Sequence, residues 1–290
     1  MPMHTNVACG KHNFHAIQKD HVNENTQYAV YPWVVVVMTR SVHSDQVGSL
    51  LAPNVVLTAA HTLLNQRAKD LQVRAGDWHN NSVEGIAYVV VQVILHEQFD
   101  ENIAAFDIAL LILQHPIAYS AHIQPICLPR KYEFLDLKRC FTADWTIVKT
   151  KGAFREVMMK VDLPYVKRAE CEEKIKTVEH SDSFKLHETI FCAGDEANQD
   201  PCSIEPGSAL FCPLADLPNQ YFQLGITSLV QDCDYKPAPG RYTNVYYLQE
   251  WIHSILHLMG LDPNQYMPPI TLEYFKRTQD YLNKEPEPLI

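Results

Sequence analysis

The sequence predicts an all-β protein, a sandwich or a pair of barrels, with helix confined to its later part. Short runs rich in β-branched residues recur along the chain, such as "WVVVVM" (33–38) and "AYVVVQVILH" (87–96). Pro, Asn and Asp sit between them, and strands do not alternate with helices as they would around a parallel sheet. Eight cysteines, at 9, 127, 140, 171, 192, 202, 212 and 233, form an even set with no C-x-x-C pair. That pattern reads as a disulfide framework of an oxidising compartment, not as a tetrahedral zinc site.

Residues 1–27 are polar and rich in His, Asn and Lys, and read as an arm tied down by Cys9. The main domain is expected over 28–258. "WVVVVM" is a continuous apolar run, the pattern of a strand buried on both faces. "NVVLTAA" (54–60), "AYVVVQVILH" and "DIALLIL" (107–113) follow as strands, then "REVMMKVDLPYV" (155–166), "QYFQLGITSLV" (220–230) and "GRYTNVY" (240–246). "KRAECEEKIK" (167–176) has helix formers and no breaker. "NVYYLQEWIHSILHLMG" (244–260) spaces Leu248, Ile252, Ile255 and Leu256 helically, with Gly260 as a stop. Residues 259–290 form a C-terminal extension in which "TLEYFKRTQDYL" is a further weak helix.

Composition excludes several function classes. Hydrophobic residues make up 47% and charged residues 20% of the 290, enough to bury a sizeable core. The formal net charge is −10 and no Lys/Arg run exceeds two residues, which argues against nucleic acid as a partner. No run of about 18 apolar residues occurs, so no membrane span is expected. The opening MPMHTNVACG has no apolar signal region. The cysteines nonetheless point to a secreted protein, so the expectation is an extracellular protein whose signal peptide is not present in this chain.

Three places carry possible chemistry. His61 ends a strand in "LTAAHTL", Asp107 opens one in "FDIALLIL", and "CSIEPGSALFC" (202–212) is a loop closed by two cysteines. His, then Asp, then such a loop is the chain order of one serine-protease solution to nucleophilic catalysis. Alone, a His beside an apolar strand is more often a packed core residue. The wider context is more specific. "PWVVVV", "GSLLAPNVVLTAAH", "DIALLIL", "IQPICLP", "FCAG", "GSALFC" and "PGRYTNV…WI" occur in order. Together they resemble the trypsin-like serine protease family over roughly residues 28–256. "VRAGDW", "HEQF" and "PICLP" resemble the arthropod non-catalytic homologues, the masquerade-like group.

The resemblance implies two packed six-stranded β-barrels and a C-terminal helix. It also implies the pairs Cys140–Cys212, Cys171–Cys192, Cys202–Cys233 and Cys9–Cys127, the last tying the arm to the barrels. The disulfide that usually staples the His loop is replaced, at its two positions, by Gln46 and Thr62.

The active family's loop reads C-x-G-D-S-G-G-P, and this chain departs from it at its centre. By the resemblance, Pro206 stands at the nucleophile position and has neither a hydroxyl nor a backbone N–H. That N–H is one of the two oxyanion-hole donors. Ile204 stands at the position of the glycine that supplies the other, and a β-branched residue resists positive φ. Glu205 replaces the Asp that in active members pairs with a new amino terminus after cleavage. The corresponding cut falls near Lys19-Asp20, and Asp20-His21-Val22-Asn23 would follow it, a poor sequence to bury. Ser203 and Ser208 are offset from the Pro206 slot.

Asp200, Ser228 and Val230 fall at specificity-pocket positions, with Val230 replacing a glycine that keeps the pocket mouth open. Asn80-Asn81-Ser82 is a glycosylation sequon. Asp77, His79 and Glu84 lie in a loop that binds calcium in some relatives, but no metal site and no cofactor is expected. The resulting expectation is a catalytically inactive homologue in which His61 and Asp107 are vestigial. It would act by binding proteases, zymogens or other extracellular proteins as cofactor, adaptor or decoy in a proteolytic cascade, as in innate immunity. The alternatives are a weak trypsin-like endopeptidase with an atypical nucleophile, and a secreted ligand-binding protein unrelated to a cascade.

Overall fold

The structure is a computed structural model. It describes residues 9–13, 30–39, 46–76, 86–130, 135–150, 153–194, 204–214, 219–229, 239–268, 270 and 272–282. Thirteen strands and three α-helices are formed among these residues.

The first six strands close a barrel. β1 (Val34–Thr39), β2 (Gln46–Ala52), β3 (Val55–Thr58), β4 (Leu71–Ala75), β5 (Ile86–Leu95) and β6 (Ala109–Leu113) pair in the order β1-β2-β3-β6-β5-β4, and β4 returns to β1. Closure removes free sheet edges. Val34, Val35, Val36 and Val37 are all buried, because one face fills the barrel and the other meets the second body.

The second body is a half-barrel. It comprises β7 (Phe141–Thr150), β8 (Ala153–Asp162), β9 (Tyr165–Val166), β10 (Ile190–Ala193), β11 (Ala209–Pro213), β12 (Tyr221–Leu229) and β13 (Gly240–Asn244). Their order is β8-β7-β11-β12-β13-β10-β9, a seven-stranded sheet whose seventh member, β9, is only two residues long. α1 (Arg168–Glu179) follows β9. α2 (Gln249–Leu258) starts later than the helical spacing of 244–260 suggests, because Asn244 ends β13 and residues 245–248 form turns. α3 (Leu272–Leu282) lies in the C-terminal extension.

The two bodies share one core. Trp33, fully buried at the entry to β1, meets Phe211 of β11 edge-on at 5.0 Å, and Phe141 of β7 meets Phe211 at 4.4 Å. Such aromatic pairs add specific geometry to a large buried apolar area. Ser49 Oγ of β2 donates to Gln223 Oε1 of β12 at 2.6 Å, a buried polar tie across the same seam. Ile252 and Leu256 of α2 enter this core, as do Tyr266 and Met267 just beyond it.

Cys9–Cys127, Cys140–Cys212 and Cys171–Cys192 are bonded. Cys202 and Cys233 lie outside the described residues. The arm is held by more than its disulfide. Gly10 N donates to Pro125 O, and Tyr221 N donates to Gly10 O. Gly10 has φ +70°, and a Cβ there would lie 2.2 Å from Tyr221 O, so only glycine fits.

Candidate functional site

β3 ends at Thr58, and Ala59 and Ala60 lead buried into a 3-10 turn, His61–Leu63. Asp107 sits two residues before β6 and its side chain is 0% exposed. A buried carboxylate is costly unless hydrogen bonds replace its water. Here the donors are present. His61 N donates to Asp107 Oδ1 at 2.8 Å, and His61 Nδ1 meets Oδ2 at 2.7 Å. Ser228 Oγ donates to the same Oδ2 at 2.5 Å. A carboxylate oxygen that also takes the Ser228 hydroxyl acts as acceptor, so Nδ1 is the donor of the His61–Asp107 bond. The His61 side chain is 29% exposed.

The pair sits at the meeting of the two bodies. Ser228 belongs to β12, and Thr243 of β13 donates through Oγ1 to Asp107 O at 2.9 Å. The adjacent Phe106 takes φ +54° and donates its N–H to Thr189 Oγ1. Gln46 Nε2 donates to Thr62 O at 2.9 Å, joining the two positions at which the resemblance implies a lost staple. A hydrogen bond thus closes the His61 loop without a covalent link.

Beside this junction His96 stacks on Phe106 at 4.6 Å and meets Trp251 at 4.9 Å. Burial lowers the pKa of His96, against a smaller opposing pull from Glu97. Its Nδ1 accepts from Gln98 N at 3.2 Å, which requires the unprotonated nitrogen.

The turn Ile204–Ser208 leads into β11. Ile204 is 3% exposed and belongs to the core of the second body with Leu163, Phe191 and Tyr242. It is not among the described residues with positive φ. Glu205 is exposed, and Pro206 is half-buried. Gly207 takes φ +90° and donates its N–H to Thr227 O. Ser208 is fully buried, and its N–H donates to Glu205 O.

One residue here is absent from the sequence reading. Asp144 of β7 is 3% exposed, and its Oδ2 accepts from Glu205 N at 2.5 Å and from Ser208 Oγ at 2.8 Å. In the sequence it follows Phe141, Thr142 and Ala143, all buried, and nothing local marks its distant partners.

The structure therefore brings His61, Asp107 and Ser228 together. Ile204 and Pro206 lie in the turn before β11. Asp200, Val230, Asn80, Asp77, His79, Glu84 and the 19–20 bond lie outside the described residues. Among the described residues, no group of three or more His, Cys, Asp or Glu is placed to hold a metal ion. No helix described is long and apolar enough to cross a membrane.

Comparison with known proteins places this geometry in a family. The family model described as Trypsin matches residues 21–252. The chain is 31% identical to Phenoloxidase-activating factor 2 of Galleria mellonella over 83% of its own length and 85% of that protein's. It is 31% identical to Inactive CLIP domain-containing serine protease A8 of Anopheles gambiae, over 79% of this chain and 66% of that one. With Inactive CLIP domain-containing serine protease A28 of the same mosquito, identity is 33% over 87% and 69%. A family match over residues 21–252, a closed six-stranded barrel beside a half-barrel and a buried Asp bonded to a His together establish that the chain belongs to the trypsin family.

Proposed function

We propose that this protein is a catalytically inactive member of the trypsin family that acts by binding, as cofactor, adaptor or decoy in an extracellular proteolytic cascade. The observation that carries the reading is Pro206. At the nucleophile position it offers no hydroxyl to His61 and no N–H to an oxyanion. Ile204, at the other oxyanion position, has its side chain anchored in the core. Removing one oxyanion donor costs about 10²–10³ in rate, and removing the nucleophile about 10⁶. The hydrogen-bonded His61–Asp107 pair is vestigial on this reading. Asp107 retains a structural role, since it ties β12 and β13 to the first barrel.

The weak-enzyme alternative loses a candidate nucleophile. Ser208 is fully buried with its hydroxyl committed to Asp144, so it reaches neither solvent nor substrate. Relatives named as inactive serine proteases support a role without hydrolysis, and one named as a phenoloxidase-activating factor supports a role in activation. Three disulfides support an extracellular location, where Asn80 would carry glycan. We assign residues 1–27 to the tethered arm, 28–258 to the protease-like domain and 259–290 to an extension. By the family resemblance, Asp200, Ser228 and Val230 stand at specificity-pocket positions, and a Cys202–Cys233 pair would complete the disulfide set.

The partners are proteases or their zymogens. Capture on the immobilised protein from the source animal's body fluid, read by mass spectrometry, should enrich trypsin-family proteases or zymogens over a matched control. Enrichment of other ligands with no protease or zymogen would favour a binding protein outside any cascade.

A further inference from the structure

Asp144 has no part in the proposed binding function, yet it is among the most committed polar side chains described. It is 3% exposed, and one of its oxygens accepts from both ends of the Glu205–Ser208 turn. A buried carboxylate is retained only where hydrogen bonds compensate its desolvation, and charge-assisted bonds are the strong kind. The acid within the turn is placed oppositely: Glu205 is exposed, while its backbone N–H donates inward to Asp144. In active members, by the family resemblance, the acid at the position of Glu205 is the anchored one, and its partner arrives only after cleavage. Here the inward-facing carboxylate belongs to a neighbouring strand and is always present.

The rest of the turn is built to match. Gly207 N donates to Thr227 O, Thr227 N donates to Ser208 O, and Ser208 N donates to Glu205 O. A Cβ on Gly207 would lie 2.2 Å from Val47 O and 2.4 Å from Thr58 Oγ1, so the turn is pressed against the first barrel. Ile204 fastens the start of the turn in the core of the second body.

We propose that Asp144 is a built-in latch of the 204–208 turn, replacing an anchor that depends on chain cleavage with one that does not. The turn then holds a single shape whatever the state of the 19–20 bond. Asp144 is a positioning residue, and its role is the same whether or not the protein hydrolyses anything.

Hydrogen exchange followed by mass spectrometry tests this on the full chain. Asp144→Asn keeps the shape and removes the charge. It should speed exchange in peptides covering 204–209 by about tenfold or more, while peptides covering 50–58 stay unchanged. Ser208→Ala, which leaves one of the two bonds, should give a smaller increase in the same peptides. Glu205→Gln should loosen 204–209 less than Ser208→Ala does, since the Glu205 side chain is exposed while the Ser208 hydroxyl is buried. If Asp144→Asn unfolds the whole chain, the Ser208→Ala and Glu205→Gln pair still discriminates. Finally, a chain carrying a specific protease site across 19–20 should exchange identically in 204–209 before and after cutting. Loosening by Glu205→Gln with none from Ser208→Ala would overturn the latch, as would protection of 204–209 gained on cleavage.

Discussion

Gly207→Ala should lower the stability of the protein by about 2–4 kcal/mol, with the loss read as a drop in the denaturant midpoint at unchanged slope. Two effects add. Gly207 has φ +90°, a backbone region that costs an alanine about 1–3 kcal/mol. The new methyl would also meet Val47 O at 2.2 Å and Thr58 Oγ1 at 2.4 Å. The first is backbone of β2 and cannot rotate away. The second is a fully buried hydroxyl that already donates to Val47 O, so moving it breaks a buried bond. Gly260→Ala is the internal control. Its φ is +73°, but nothing lies within 4 Å of the added methyl, so only backbone strain applies. If the two substitutions cost the same, close packing of the turn against the first barrel is not a source of stability.

Restoring the family's loop residues, by Ile204→Gly, Glu205→Asp and Pro206→Ser together, should not restore an enzyme. We expect hydrolysis of an arginine ester to stay at least about 10³-fold below that of an active trypsin-family protease. Pro206→Ser returns a hydroxyl and an N–H in one step, and His61 is already bonded to Asp107 to receive the proton. What remains wrong lies around the turn. Asp144 still holds the amide of residue 205 and the hydroxyl of Ser208. The aspartate introduced by Glu205→Asp would start from an exposed position, and Asp20 would be a charged residue to bury behind it. Val230 would still stand where, by the family resemblance, a glycine keeps the pocket mouth open. Rates near those of an active protease would show that residues 204–206 were the only lesion.

Much of the fold was legible because its signals are local. The β-branched run at 34–37, the apolar strand at 109–113 and the helical spacing of Leu248, Ile252 and Leu256 are each carried by a few adjacent residues. His61 and Asp107 were legible as chain order within quoted motifs, and the structure adds Ser228 as the third group on the carboxylate. Asp144 was not legible, because its partners lie 61 and 64 residues away and an acid in a strand ordinarily reads as a solvent-facing position. The Gln46–Thr62 contact was visible only as two missing cysteines, since a side-chain bond to a backbone carbonyl leaves no trace in residue type. Exposure of Glu205 was equally hidden. Its charge matches the family's acid, and only the fold reveals that it faces outward.

The central claim is the absence of a competent nucleophile beside an intact His–Asp pair. An active-site fluorophosphonate probe, applied to the purified natural protein with an active trypsin-family protease in parallel, tests it most directly. The expected result is stoichiometric labelling of the active protease, no labelled serine in this protein, and no arginine-ester turnover above a His61→Ala variant. A labelled serine, or turnover that disappears with His61→Ala, would contradict it.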